Sequence, residues 1–190
     1  MALRRGFKTE ANEVARDVRA ELRLASIAPF DPRLLAEHLE IPIVSLTEFA
    51  QKIPNAVRYF HRRGEDEFSA VTVFAGTERL IVHNDAHAPG RQANDLAHEL
   101  SHALLFHEPK RALDAFGCRD WDEDSEDEAD FLAGVLLVSE EAALDVVRRG
   151  LSLTAAANVY CVSVPLMRWR INVTGARARV ARAREAWVRR

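Results

Sequence analysis

Apolar side chains recur at helical spacing along the first part of the chain. The apolar positions that lie three or four residues apart are Phe7, Ala11, Val14, Val18 and Leu22. This spacing predicts an amphipathic helix over residues 7–24. A second helix is predicted to begin with Asp31 as N-cap and Pro32 as its first residue, and to end before Pro42.

Between residues 41 and 83 the pattern changes to short runs rich in β-forming residues. The segment 41–46 predicts a first short strand. Three further runs follow, separated by a polar segment and a glycine: residues 56–61, 68–74 and 79–83. Together these runs predict a small antiparallel sheet between the helices.

From Pro89 onward the pattern is helical again. We expect helices near residues 89–107, 124–138, 140–149, 152–160 and 163–173, with a last helix running toward 188. No internal repeat or long linker interrupts the chain. Strands gathered between helices therefore predict an α+β fold in one domain.

Composition restricts the class of protein. Of the 190 residues, 48% are hydrophobic and 29% charged, as in a soluble globular domain. The net charge of −3 disfavours nucleic acid as a direct ligand held by bulk electrostatics. The N-terminus lacks a signal-peptide core, and no stretch approaches the roughly 18 apolar residues of a membrane helix. Because Cys118 and Cys161 make no disulfide framework, we expect a cytoplasmic protein with no membrane partner.

The chemistry of the chain is concentrated in residues 98–102, which read His-Glu-Leu-Ser-His. His98 and His102 lie one turn apart on one helix face, so both imidazoles can reach one zinc ion. Glu99 points about 100° away around the helix, but its side chain can reach a metal-activated water as general base. The alternative is a pair of helix histidines held by neighbours. Apolar residues on the other faces favour the metal site: Ala93, Leu96, Ala97, Leu100, Ala103 and Leu104.

A catalytic zinc site needs a third protein ligand. The acidic run 120–130 leads into the next predicted helix, where Glu126 and Asp130 share one face. Glu126 fits as the ligand, and Asp130 one turn later can hold a ligand histidine by its outer N–H. Glu128 is the competing ligand candidate. For residues 120–124, a solvated helix start is the better interpretation.

With these motifs the chain resembles the ImmA/IrrE family of metallopeptidases. The resemblance is strongest over residues 96–105 and 126–130, and it also includes segments 5–8 and 29–37. Ser101 stands where the family usually has Gly, and residues 138–139 read Val-Ser instead of Met-Pro. Neither departure removes a candidate ligand.

The resemblance implies a zincin-like (thermolysin-like) peptidase domain with a Glu as third zinc ligand, which the family pattern places at Glu126. It also implies a helix-turn-helix transcriptional repressor as protein substrate. We expect one domain over residues 1–190. Its parts in order are N-terminal helices at 1–50, the sheet at 55–83, metal-binding helices at 89–138 and a C-terminal helical cap at 140–190.

Two functions fit this pattern. The first is a zinc endopeptidase that hydrolyses peptide bonds with Glu99 as general base. The alternative is a regulatory module that binds a protein or DNA through the basic segment 160–190, with a structural or weakly active zinc site. Glu99 favours the enzyme, because a structural site needs no general base. The apolar side of the basic segment favours a cap packed on the domain: Leu166, Trp169 and Val173.

Further predictions concern the surroundings of the site. Candidate donors to the oxyanion of peptide hydrolysis are Tyr59, His61, Arg91 and Tyr160, and their spacing does not select among them. His107 lies five residues after His102, off the shared face, and is interpreted as a surface histidine at a helix C-terminus. An edge strand of the sheet either only packs or pairs with an extended substrate.

Overall fold

A computed structural model describes residues 3–64, 66–76, 78–108 and 122–188. The helices are α1 Phe7–Glu21, α2 Pro32–His38, α3 Pro54–Phe60, α4 Pro89–Leu104, α5 Glu123–Leu137, α6 Glu140–Arg149, α7 Leu153–Val159, α8 Val164–Val173 and α9 Ala176–Val188. The strands are β1 Ile43–Ser45, β2 Ala70–Ala75 and β3 Glu78–His83, and a short 3-10 helix, Leu46–Phe49, follows β1. Cys118 and Asp120, the first residue of the acidic run, lie outside the described residues.

The three strands form one sheet in the order β1-β3-β2. β2 and β3 are an antiparallel hairpin in which Thr72 lies opposite Ile81, whereas β1 runs parallel to β3 with Ile43 opposite Ile81. The parallel pair is possible because α3 and β2 lie between β1 and β3 in the chain and supply the crossover that parallel strands need. The predicted α+β class is confirmed, but the sheet is mixed and not antiparallel.

The predicted strand over residues 56–61 is wrong, because most of this segment belongs to α3. Pro54 occupies the first turn, where its fixed φ angle favours a helix start and its missing N–H does no harm. Val57 is 6% exposed and anchors the helix. The β-forming character of Val57, Tyr59 and Phe60 is overridden by this start and by packing, as β-propensity often is. In the part of the chain between 55 and 83, the sheet therefore begins only at Ala70.

The core is built around α5, which packs against α1, α4 and α8. From Phe131 to its end this helix is buried on every side. Gly134 permits the close approach of α8, because a Cβ there would lie 2.4 Å from the Trp169 ring. Among the described residues, none of the helices combines the length and apolarity that a bilayer crossing needs.

The C-terminal end of α5 contacts two buried arginines. Arg19 from α1 donates to the carbonyl of Leu136 over 3.0 Å, and Arg170 from α8 donates to the carbonyl of Val138 over 2.7 Å. Arg170 is 1% exposed, and burial lowers its pKa to about 10. Both cations lie where a helix exposes unpaired carbonyls and the negative end of its dipole, so they stabilise this end.

Candidate metal centre

α4 presents its two histidines toward α5 because its other faces are anchored. Leu96 and Leu100 are at most 1% exposed and hold the helix against the core. Ser101, the departure from the family pattern, is also buried, and its hydroxyl donates to the carbonyl of Ala97 over 2.7 Å. The hydroxyl is therefore satisfied within the helix and leaves the histidine face unchanged.

Three side chains from α4 and α5 converge on one point. The Nε2 atoms of His98 and His102 are 3.1 Å apart, and Oε2 of Glu126 lies 3.3 Å from the first and 3.7 Å from the second. Ligand atoms arranged as a tetrahedron at about 2.0–2.1 Å from a zinc ion lie about 3.3 Å from one another. The spacing of the three atoms therefore fits such a cation. The three side chains are 20–23% exposed, so the group is open to solvent on one side.

The outer nitrogens of both histidines point away from this group and have partners. Nδ1 of His98 lies 2.8 Å from Oδ1 of Asp130 on α5. Nδ1 of His102 lies 2.8 Å from Nδ1 of His107, which helical spacing had assigned to the surface. The assignment of His107 failed because α4 ends at Leu104, so positions beyond it no longer follow helical spacing. The only hint in the sequence is a third histidine soon after the motif.

Glu128, the competing ligand candidate, is turned away from the two Nε2 atoms. Its Oε1 lies 2.8 Å from Nε of Arg4, and its Oε2 lies 3.7 Å from Nε2 of His107. Among the described residues, the group of side chains able to hold a metal ion consists of His98, His102 and Glu126.

Glu99 leaves α4 on the side of the sheet. Its Oε2 accepts a hydrogen bond of 2.5 Å from the hydroxyl of Thr72, a residue of β2. β2 is the edge strand beside α4, and its residues Val73 and Phe74 are 44% and 42% exposed. The carboxylate of Glu99 thus lies between the histidine helix and an edge strand.

Comparison with protein families matches the IrrE N-terminal-like domain of peptidase family M78 to residues 38–172. The chain belongs to the M78 family. This family is one of metallopeptidases, so the resemblance to ImmA/IrrE proteins is confirmed. The matched region includes both the histidine motif and the carboxylates of α5. A comparison with curated proteins finds no match.

In this M78 site the charge of one carboxylate is balanced by the two neighbouring histidines. The nearby imidazoles of His102 and His98 hold the pKa of Glu126 well below its usual range, against the opposing effect of burial. Burial disfavours a proton on His98, but hydrogen bonds to Asp130 and Glu126 outweigh it and raise the His98 pKa to about 10. A proton on His98 therefore neutralises Glu126, and a cation that binds here has to displace it.

Each candidate oxyanion donor of this M78 chain has a partner elsewhere. The Tyr59 hydroxyl donates to Glu67 over 2.8 Å, and the Tyr160 hydroxyl donates to the carbonyl of Ile27 over 2.9 Å. His61 lies 3.4 Å from Asp85, and Arg91 pairs with Asp66 over 2.8 Å: these contacts join the loops around the sheet. The structure does not bring any of the four to the His98–Glu126 group by a direct contact.

Proposed function

We propose that this chain is a zinc-dependent endopeptidase with His98, His102 and Glu126 as metal ligands. The observation that carries the proposal is the spacing of 3.1–3.7 Å among two imidazole nitrogens and one carboxylate oxygen. Two imidazoles and a carboxylate are the ligand set of catalytic zinc sites that keep one position open. Membership of a metallopeptidase family supports the same chemistry.

Zinc, when bound, acidifies a water molecule and polarises the carbonyl of the scissile peptide. Glu99 takes the proton of the attacking water and delivers it to the leaving amine. Asp130 fixes His98 with its Nδ1 protonated, which leaves Nε2 free to bind the metal. The hydroxyl of Thr72 holds the Glu99 carboxylate on the side of the sheet.

The edge position of β2 supports a binding mode for the substrate. An extended peptide that pairs with β2 by β-augmentation passes beside Glu99, because Thr72 of the same strand contacts that carboxylate. On the family resemblance alone, we propose a helix-turn-helix repressor in the cytoplasm as the protein substrate.

The alternative of a DNA-binding or protein-binding module is less well supported by the C-terminal helices. Ala176 and Val180 of α9 are buried, and α9 packs on α6. Arg179 pairs with Glu140, and Arg184 donates to the carbonyl of Arg148 over 3.1 Å. Part of the basic face is therefore used within the fold, which favours the cap.

Metal content tests the proposal. Purified wild type is expected to hold one zinc per chain by elemental analysis after zinc addition and removal of the excess. His98→Ala and Glu126→Ala should lose it, whereas Glu128→Ala should keep it at saturating zinc. No zinc in the wild type would overturn the peptidase mechanism and favour the binding module. Loss of zinc in Glu128→Ala but not in Glu126→Ala would make Glu128 the third ligand in place of Glu126.

A further inference from the structure

The segment that follows α4 has an unusual exposure pattern. Phe106 is 91% exposed and adopts a φ of 54°, in the left-handed region that non-glycine residues rarely occupy. The His107 side chain next to it is 13% exposed. The chain thus leaves a large apolar ring in solvent and mostly buries an imidazole, the reverse of what the hydrophobic effect favours. The same left-handed turn follows three other helices, at Arg23, Glu40 and Cys161, so Phe106 adopts a usual helix-ending conformation, and what distinguishes this turn is the direction in which it sends His107.

The left-handed turn brings His107 back to α4, the helix of the two candidate ligand histidines. The amide of His107 donates to the carbonyl of His102 over 3.0 Å, so the turn closes directly on the ligand residue. The two rings then lie with centroids 5.0 Å apart and with their Nδ1 atoms 2.8 Å apart. The turn therefore gives His102 a mostly buried partner for its outer nitrogen.

The proton positions along this contact follow from the chemistry of imidazole. Two nitrogens 2.8 Å apart share one hydrogen, so one of them donates and the other accepts. A metal at Nε2 of His102 requires that nitrogen to be unprotonated, so His102 carries its hydrogen on Nδ1 and donates. His107 then accepts at Nδ1 and carries its own hydrogen on Nε2.

The far side of His107 agrees with this assignment. Its Nε2 faces Oε2 of Glu128 at 3.7 Å, too long for a hydrogen bond but close enough for the carboxylate to attract an N–H. Glu128 is fixed in turn by Nε of Arg4 at 2.8 Å, and Arg4 also pairs with Glu10 at 2.6 Å. The contacts of Glu128 with Arg4 and His107 also hold its carboxylate away from the ligand group.

We propose that His107 is a positioning residue that fixes the tautomer and ring orientation of His102, and that Glu128 and Arg4 hold His107 in its accepting tautomer. This inference rests on the proposed metal site. The two ligand histidines then have unlike outer partners, since His98 uses the carboxylate of Asp130 and His102 uses a neutral imidazole. Outer partners of metal-bound histidines set metal affinity as well as geometry.

Zinc affinity of the full chain, measured by competition with a chromophoric chelator, tests the proposal. His107→Phe keeps a ring of similar size without an acceptor, and we expect it to weaken zinc binding by about 10–100-fold. His107→Asn places an amide oxygen where Nδ1 accepts, and we expect it to stay within about threefold of wild type. Glu128→Gln should weaken binding by a smaller factor, because it removes only the second contact.

The controls separate positioning from packing. His38→Phe makes the same change at an exposed histidine that pairs with Glu21 on another surface, and it should bind zinc as wild type does. If His107→Phe binds zinc as tightly as wild type, or if His107→Asn is as weak as His107→Phe, the positioning role is wrong. If His107→Phe does not fold, His107→Asn and Glu128→Gln decide. Zinc affinity equal to that of wild type in both variants overturns the role of Glu128. Zinc affinity clearly below that of wild type in His107→Asn overturns the role of His107. A wild type that binds no zinc instead overturns the proposed function itself.

Discussion

The two ends of α5 both contact charged side chains, but with different arrangements. In its first turns Glu126 and Asp130 face the histidines of α4 and are partly exposed. At its last turn the buried Arg19 and Arg170 donate to backbone carbonyls. At the second end each arginine meets an acceptor, whereas at the first end two imidazole nitrogens and a carboxylate oxygen converge on one another.

The difference indicates which feature marks a functional site. Charged side chains lie at both ends, and at both ends their sign agrees with the helix dipole. At the first end, the electron-pair donors of His98, His102 and Glu126 meet at one point. Only a proton or a metal ion can lie between them, and this distinguishes the first end from the second. At the arginine end the cations bind backbone carbonyls and serve stability, although within the described residues Nε of Arg19 and Nη2 of Arg170 have no hydrogen-bond partner.

The largest effect is expected from Glu99→Gln, which removes the proposed general base and keeps the shape of the side chain. We expect kcat/KM for a peptide substrate to fall by about 10³-fold, within the usual range for loss of a general base. Zinc content and the thermal midpoint of unfolding should not change, because Glu99 is outside the ligand group. Retained hydrolysis in this variant would assign the base to another residue.

Arg170→Met should break the other end of α5. The thioether keeps much of the packing, but the carbonyl of Val138 loses its buried donor, and we expect the free energy of unfolding to fall by about 2 kcal/mol. Urea denaturation of the metal-free protein measures it. Zinc affinity should be unaffected.

Arg168→Met is the matched control, because Arg168 is exposed on the same helix. A surface change of this kind should alter stability by no more than about 0.5 kcal/mol. If Arg170→Met proves as stable as the control, the desolvation of Arg170 cancels what its hydrogen bond contributes, as happens for some buried charges.

The sequence predicted those parts of the site that depend on local helical geometry. The spacings His98–His102 and Glu126–Asp130 each join residues one turn apart, so their shared faces follow from the period of the helix. The contact of Thr72 with Glu99 joins a strand to a helix 27 residues later, and no local pattern encodes it.

The return of His107 shows a second reason for failure. It depends on a left-handed turn at Phe106, a position without the Gly or Asn that usually announces such a turn. The prediction for segment 56–61 failed for the opposite reason: the sequence carries a helix-start signal at Pro54, but the residues after it are also typical of a strand. The buried arginines have no sequence pattern that distinguishes them from the other arginines of the chain.

An effect of intermediate size is expected from pH, because the metal-free ligand group holds a proton. The His98 pKa is about 10 in the folded chain against 6.5 ordinarily, so its contribution to stability is full below pH 6.5 and is lost as pH rises toward 10. The Glu126 pKa is lowered from 4.5, so its contribution is present above pH 4.5 and is lost at more acid pH. With a chelator present, the combined contribution of His98 and Glu126 to the free energy of unfolding should therefore be largest between pH 4.5 and 6.5.

Zinc should reverse the alkaline part of this dependence. Because the metal displaces the proton on His98, zinc affinity should rise from pH 6.5 toward 10 while the contribution of His98 to metal-free stability falls. Urea unfolding across this range, with chelator or with zinc, measures both trends, and His98→Gln should remove the alkaline loss in chelator. The same alkaline loss in His98→Gln would assign the titration to another group.

The smallest effect is expected from Thr72→Val, which keeps the β-branched shape and removes the hydroxyl. The Glu99 carboxylate then loses one hydrogen bond, and we expect kcat/KM to fall about fivefold, the equivalent of about 1 kcal/mol, because the base is less well oriented. Thr72→Ser keeps the donor and should recover most of the activity, and zinc affinity should be equal in all three proteins. An unchanged or higher rate in Thr72→Val would mean that the hydrogen bond holds Glu99 only until substrate pairs with β2, since release from a donor also makes a carboxylate a stronger base. The hydrogen bond between Thr72 and Glu99 would then orient the carboxylate only before the substrate binds, and not during the reaction.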